Sequence, residues 1–583
     1  MQVDVIERRE DLSRLKDDWE RVYGADPEGQ FFLSWIWISN WLQQARFPWV
    51  VLAARKGEDG PFVAFLPLQL RTELDKKRGL YNTIRMGASY FAVYTGFLCL
   101  PENEAEALPA FASRIQETLN WTQLHLDDLF ASERRRKLFL DAFATDGFVA
   151  EKIVRRRHVT SLGEDIDHDV YIYVDLPDSW EAYLDSRLGP RTRRDVRYFL
   201  RKTDTADDFR ITVADPSTIE HALNAFVRFW TAQWEARSPA YARSMLANCR
   251  DMLPPCFQAG RLFVPVLWQG DAPIGVHVAF IDREKRSLVC FLVGRDTSVR
   301  KPPPGFVLHA FSIRWAIENG FRTYDLGTGD FSYKYSFGSE ERLVEGVRVL
   351  TKNGTNLGGR LDRRSLPAAL SWTRRLLSEG RFDLAATGCK QVLAAAPDNA
   401  EAEALLRQVE TAAAKRALEL RREGKLAEAA QACRQILEVD PGHADARRLL
   451  KELEAEQQRR VPAGLIEAKG FHQRGQTSEA ENAYRAILKA DPNHVEAAYL
   501  LGVVFLQQRK FESAERQIGR AIGLQPNIAA AHYNRGLALM YLNRREEALA
   551  SFNSAIKLRP DYDLAITQRD NIVRASEASR LPG

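Results

Sequence analysis

The spacing of apolar and polar positions divides the chain into three stretches. Between residues 50 and 71 the apolar runs VVLAAR and FVAFLPLQLR flank the charged, glycine-containing turn GEDG, which predicts a β-hairpin. Just upstream, FFLSWIWISNWLQQA sets Phe31, Trp35, Ile38 and Leu42 at helical spacing and predicts a helix with an aromatic core face. Strand-like runs at 95–100 (TGFLCL) and 122–126 (TQLHL) alternate with a helix near 103–119. A second alternating stretch begins near 166. YIYVDL (171–176) predicts a strand, Pro177-Asp178 opens a short helix, and LGPRTRRDVRYFLRK predicts a strongly basic helix. An amphipathic helix over 221–237 and another near 240–258 precede three strand-like runs, RLFVPVLW, APIGVHVAF and SLVCFLVG. Interleaved strands and helices predict mixed α/β structure.

Those runs lead into residues 301–338, KPPPGFVLHAFSIRWAIENGFRTYDLGTGDFSYKYSFG. A Pro/Gly turn ending at Gly305 opens a helix whose apolar face is Phe306, Leu308, Phe311, Ile313, Trp315 and Ile317. Asn319-Gly320 stops it, Thr323–Leu326 resumes as a strand, and a Gly-rich loop ends in Tyr333-Lys334. Unpaired N–H groups and a positive dipole end make a helix N-terminus a seat for phosphate. Arg300 and Lys301 stand just outside it. The same turn serves an ordinary helix start, since proline presets helical entry.

Near residue 365 the chain becomes rich in Ala, Leu, Glu, Arg and Gln, and strand-like runs cease. Pro492, Pro526 and Pro560 recur 34 residues apart, with Pro441 and Pro397 in two looser units. Twelve positions before each proline stands a small residue: Ala480, Ala514, Ala548, Ala429 and Ala385. Eight before each stands Tyr484, Ile518, Phe552, Cys433 or Cys389. Ala468, Gly502 and Gly536 supply small residues in the first helix of each regular unit, and Gly475, Gly424 and Gly380 mark turns. This pattern resembles the tetratricopeptide repeat, in which small residues sit where paired helices cross. Three regular units (461–494, 495–528, 529–562) follow two degenerate ones with helical inserts, and 563–577 is expected to cap the stack. The resemblance implies a concave groove for a protein or peptide partner, with Asn534, Arg535, Gln507 and Gln508 as candidate groove residues or plain surface.

Composition narrows the classes. The 82 basic and 78 acidic residues leave a net charge of +4, so no global attraction to nucleic acid or membrane follows. Six cysteines without Cys-x-x-Cys pairs read as reduced core residues, and no metal-ligand spacing appears. His277 and His309, on apolar stretches, read as core histidines. The start, MQVDVIERREDL, lacks a signal-peptide pattern, and no apolar run has the length of a membrane span, so a cytoplasmic location is expected.

Residues 187–335 resemble the CelD-like acetyltransferase domain of the GNAT superfamily, which is related to the Fem peptidyl-aminoacyltransferases. The resemblance rests on RTRRDVRYFLRK, FVRFWTAQW, GRLFVPVLWQGDAPIGVHVAF, PPGFVLHAFSIRWAIENG and YDLGTGDFSYKYSFG. FFLSWIWISNWL and FVAFLPLQL resemble the region before that domain, so the likeness spans about the first 350 residues. One departure concerns the donor loop. GNAT loops usually read Arg/Gln-x-x-Gly-x-Gly/Ala, whereas Arg300 is followed by KPPPGFVL with Gly305 alone.

The resemblance implies a tandem GNAT-like α/β fold followed by an all-α tetratricopeptide solenoid. The expected divisions are 1–165 and 166–355, a linker at 356–365, degenerate repeats over 366–460, regular repeats over 461–562, and a cap and tail over 563–583. It implies an N-acyltransferase using acetyl-CoA or another acyl-CoA, with no metal. Val293, Arg300, Lys301, Gly305, Phe306, Val307 and Leu308 would bind the cofactor. Lys334 would stabilise an oxyanion, Tyr333 or Tyr335 would protonate the leaving thiolate, and Asp325 or Asp330 would act as the base or orient the acceptor amine. Arg191 and Arg194, with Trp230 and Trp234, would bind an acceptor such as a sugar or nucleotide-sugar amine of polysaccharide synthesis. Two alternatives stay open: a Fem-like transferase using aminoacyl-tRNA, the one case in which a nucleic acid would be a partner, and a degenerate transferase acting as a repeat scaffold.

Overall fold

The computed structural model describes residues 1–578 apart from 90, 155–156, 161–162, 206–207, 236–237, 300 and 440. It divides into two units: residues 1–373 with 388–402, and residues 374–387 with 403–583.

The first unit is mixed α/β, as the alternating pattern predicts. Its early strands are β1 (Gln2–Ile6), β2 (Trp49–Arg55), β3 (Phe62–Asp75), β4 (Gly79–Met86), β5 (Leu98–Cys99), β6 (Gln123–Leu126) and β7 (Phe148–Ile153). A small pair follows, β8 (His158–Val159) with β9 (Asp165–Ile166). Then come β10 (Val170–Asp175), β11 (Phe209–Val213), β12 (Leu262–Phe263), β13 (Pro265–Gln269), β14 (Ala272–Asp282) and β15 (Ser287–Arg295). The last are β16 (Thr323–Thr328), β17 (Glu340–Leu343) and β18 (Gly346–Thr351).

Two eight-stranded sheets result. The first runs β1-β2-β3-β4-β6-β18-β7 and the second β11-β13-β14-β15-β16-β10-β17, with β5 and β12 beside them. The two orders have the same logic. Four antiparallel neighbours lead to one parallel pair, β4–β6 or β15–β16, joined by a crossover helix, Glu104–Thr118 or Pro304–Glu318. Beyond each parallel pair lies a strand from outside the linear run, β18 in the first sheet and β10 in the second. Aromatic side chains from both halves share one core, in which Phe31 stacks on Phe280 with ring centres 4.4 Å apart.

Two expected boundaries need correction. Residues 346–351, assigned by sequence to the second division, pair with β6 and β7 and so belong to the first sheet. The expected linker 356–365 is built into that sheet's end. Asn356 Oδ1 accepts from the Asn82 amide at 3.0 Å and the Thr122 hydroxyl at 2.8 Å, and Asp362 Oδ2 accepts from the Asn120 amide at 3.0 Å. Part of the first degenerate repeat also packs in this unit, where Trp372 Nε1 donates to Thr72 O at 3.0 Å and Gln391 brackets the Leu80 backbone.

The second unit is all-helical. Paired helices Thr477–Ala490, Val495–Gln507, Phe511–Leu524, Ala529–Tyr541 and Arg545–Leu558 follow the 34-residue period, and Asp563–Ala578 comes last. Small residues are required at the crossings: a Cβ on Gly502 would lie 2.4 Å from Ile518, and one on Gly536 would lie 2.5 Å from Phe552. The insert before the regular repeats is a single helix, Ala444–Gln473, that continues as the first helix of the repeat at 461–494.

Candidate functional site

β15 and β16 run parallel for three residue pairs, ending at Val289↔Asp325. Past that point β15 continues to Arg295 along β14, while β16 continues to Thr328 along β10. Each strand carries a β-bulge at the divergence, Phe291 being unmatched opposite Val278/Ala279 and Leu326 opposite Ile172/Tyr173. A bulge adds twist and bends its strand, so paired bulges on facing strands open a wedge between their inner edges. Backbone N–H and C=O groups of Cys290–Val293 on that edge have no ladder partner in β16.

The crossover helix Pro304–Glu318 starts at this wedge. Val307 is its first amide with a backbone acceptor among the described residues, Pro303 O at 3.1 Å, and the Gly305 and Phe306 amides have none there, which suits them to a ligand. The helix start approaches the sheet closely because Gly275 of β14 lacks a side chain: a Cβ there would meet Pro304 and Leu308 at 3.0 Å. The Arg295 guanidinium stands at the same entry, with Nη1 4.0 Å from where a Gly305 Cβ would be. Sequence reasoning passed over Arg295; its signal was a lone cation ending an apolar strand just ahead of a helix start. Lys301 is exposed beside the turn. Val307 and Leu308 bury their side chains, so only their backbone can serve a cofactor, and Phe306 stacks on Phe337 at 5.2 Å. Val293 is half-buried on the open part of β15. Arg300 lies outside the described residues.

The expected catalytic side chains separate into tied and free. Lys334 is 3% exposed, in the short helical turn Ser332–Tyr335. Its Nζ donates to Gly327 O at 3.0 Å and Thr328 O at 2.6 Å. Burial lowers its ammonium to about 8. Lys334 therefore closes the loop in which Gly327 and Gly329 take positive φ, and its charge is engaged there. Asp325 is buried and accepts from the Tyr94 hydroxyl at 2.6 Å and the Gly327 amide at 2.7 Å; burial raises its carboxyl. Asp330 accepts from the Asp167 amide at 2.6 Å, and Tyr335 donates to Glu341 at 2.6 Å. Tyr333 differs. It is 49% exposed, its ring lies 5.9 Å from that of His309, and its hydroxyl makes no hydrogen bond among the described residues.

The basic helix Pro190–Thr205 buries Val196, Leu200 and Thr203 and turns its cations outward. Arg193, Arg194 and Arg197 pair with Asp185, Asp195 and Glu181, whereas Arg191 is exposed with no ion pair among the described residues. Phe199 of this helix reaches Phe306 with ring centres 6.3 Å apart. Trp230 and Trp234 stack at 5.4 Å, but Trp230 is buried in the shared aromatic core rather than presented to solvent. Neither indole N–H finds an acceptor among the described residues. In the repeats, Arg535 is bound to Glu515, Asn534 to the Tyr499 hydroxyl and Gln508 to Thr477 O, so three of the four groove candidates tie repeats together; Gln507 is exposed.

Known proteins place names on these regions. Residues 190–335 match the family model described as an acetyltransferase (GNAT) domain, and residues 465–518 and 504–563 match a tetratricopeptide repeat. No curated protein matches the chain. Among solved structures, the first tetratricopeptide domain of Spaghetti (RPAP3) bound to an HSP90 peptide is 22% identical over 20% of this chain and 93% of that one, with a TM-score of 0.20. The Arabidopsis OM64 tetratricopeptide domain is 22% identical over 20% and 96%, also at 0.20. A Thermobaculum terrenum O-GlcNAc transferase is 28% identical over 21% and 22%, at 0.19. The chain thus carries a GNAT-type acetyltransferase domain and C-terminal tetratricopeptide repeats. Among the described residues no helix is long and apolar enough to cross a membrane.

Proposed function

We propose that the chain is an acyl-CoA-dependent N-acyltransferase whose repeats hold a protein partner. One observation carries the reading: within the matched stretch, an open wedge between β15 and β16 meets the Arg295 guanidinium and a helix start with two amides that lack acceptors among the described residues. Those groups suit the pyrophosphate of coenzyme A, and the β15 edge suits an extended pantetheine arm that needs backbone partners.

In the reaction we infer, the acceptor amine nitrogen attacks the thioester carbonyl carbon, forming the C–N bond as the C–S bond breaks. A backbone amide of the β15 edge polarises the carbonyl oxygen. The amine releases its proton to solvent, and the departing thiolate takes one from the Tyr333 hydroxyl, which makes no hydrogen bond among the described residues and regains its proton from solvent. Lys334 and Asp325 act as positioning residues that hold the Gly-rich loop. The acceptor we infer is an amine on a phosphorylated sugar, because Arg191 offers a charge with no ion pair among the described residues, on a helix that touches the donor entry.

Titration of the full chain with acetyl-CoA tests this. Saturable binding that raises the melting temperature is expected. No shift at millimolar acetyl-CoA, or stabilisation by aminoacyl-tRNA alone, overturns the acyl-CoA reading.

A further inference from the structure

Beneath the crossover helix three side chains of metal-ligand type converge from three elements: His277 of β14, Cys290 of β15 and His309 of the helix. All three are buried, and one ligand atom from each lies within 4.8 Å of the others. The sequence hides this set because its members are 13 and 19 residues apart; the β14–β15 ladder, which pairs Cys290 with Ala279, makes His277 its diagonal neighbour.

Both imidazoles are held through Nδ1. His277 Nδ1 lies 2.9 Å from Ser312 Oγ, and that hydroxyl donates to Leu308 O at 2.7 Å. Ser312 has spent its proton, so His277 must donate from Nδ1 and carry its lone pair on Nε2. That Nε2 is buried with no hydrogen-bond partner among the described residues. His309 Nδ1 lies 2.7 Å from the Tyr324 hydroxyl, and its Nε2 makes no hydrogen bond among the described residues. Neutral imidazoles tied at one nitrogen by an outer hydrogen bond are the ligand form. A purely apolar core would gain nothing from an orphaned lone pair, which costs about 1–3 kcal/mol to bury unpaired.

We propose that His277, Cys290 and His309 bind a borderline-soft divalent metal ion of the zinc class. One sulfur and two imidazole nitrogens favour zinc, cobalt or copper over magnesium or calcium. Binding breaks the Cys290 S–H bond, forms a metal–thiolate bond and releases one proton to solvent, which leaves one net positive charge at the site. The ligand atoms must draw together by about 1 Å to reach bond lengths of about 2.0–2.3 Å. Three protein ligands leave a fourth position for water or another small ligand. His309 lies four residues beyond Gly305 in the same helix, so the ion would fasten the donor-entry helix to the sheet.

The test uses the full-length chain, stripped of metal by a chelator and titrated with cobalt(II). One equivalent is expected to give a thiolate-to-cobalt charge-transfer band and tetrahedral visible bands, which zinc(II) displaces. Cys290→Ser should abolish the charge-transfer band. Ser312→Ala, which frees the His277 ring without removing a ligand, should weaken binding about 10–100-fold. No charge-transfer band in the unmodified chain overturns the proposal whatever the variants do. A band that survives in Cys290→Ser overturns it too, since the metal would then sit on another cysteine.

Discussion

The two sheets of the first unit share a strand order but not a ligand seat. In the first sheet the parallel strands β4 and β6 end one residue past their last pair, Arg85↔His125, and leave no open edge. In the second, β15 runs six residues past its last pair and β16 three. The crossover helices diverge in the same direction. Glu104–Thr118 carries Glu104 and Glu106 in its first turn, where carboxylates answer the helix dipole and repel a phosphate. Pro304–Glu318 has no acidic residue there, only Pro304, Gly305 and the nearby Arg295. One frame thus becomes closed structure or an open binding wedge through a few residues at one helix start and a bulge in each strand.

The largest expected effect breaks the closed member. Arg135 is wholly buried and binds Asp26 at 2.8 Å and Glu104 at 2.8 Å. Arg135→Ala strands those buried carboxylates and should cost about 3–5 kcal/mol in denaturant melts; a loss under about 1 kcal/mol would show that the first helix start is not locked this way. The open member should fail in chemistry instead. Tyr333→Phe is expected to lower kcat by at least ~100-fold while leaving acetyl-CoA binding intact, and unchanged turnover removes Tyr333 from the mechanism.

A third experiment probes the seam where the halves meet. Asp282, at the end of β14, accepts from the Tyr23 hydroxyl, and burial pushes its carboxyl up from 3.8 to about 6. Well below 3.8 it is protonated whether the chain is folded or not, so its contribution is fully present. As pH rises through 6 the folded chain must hold a buried charge and stability is lost, by about 3 kcal/mol in all, since each tenfold difference in proton affinity between folded and unfolded chain is worth roughly 1.4 kcal/mol. Asp282→Asn should therefore stay close to the parent near pH 4 and exceed it above about pH 7; equal melting profiles throughout count against this assignment. The smallest effect is Arg295→Ala, which should weaken acetyl-CoA about tenfold, as expected for a charged hydrogen bond, without changing stability. Equal affinity would move the pyrophosphate elsewhere.

Local rules made much of this legible from sequence. Apolar periodicity located the crossover helix and the strand at Thr323, and the proline period located the repeats, because each repeat packs on its sequence neighbours. What stayed hidden depends on long-range pairing. GVRVLT at 346–351 has the pattern of any half-buried strand, and nothing local says that its partners lie near residues 125 and 150. Lys334 stood out beside a Gly-rich loop, but its bonds to Gly327 and Thr328 turn it into the loop's tie. Taken one at a time, His277 and His309 have the apolar surroundings of any core histidine, whereas the fold places them together with Cys290.

The return of β18 has a consequence for synthesis on the ribosome. β7 ends at Ile153, but the strand that separates it from β6 is complete only at Thr351. At about 5–20 residues per second, roughly 10–40 s of translation pass while that slot stands open. Through that interval β6 shows a bare edge, the kind of surface that templates aggregation. The whole second sheet must therefore emerge before the first can close, which makes the nascent first unit a client for any chaperone that shields strand edges.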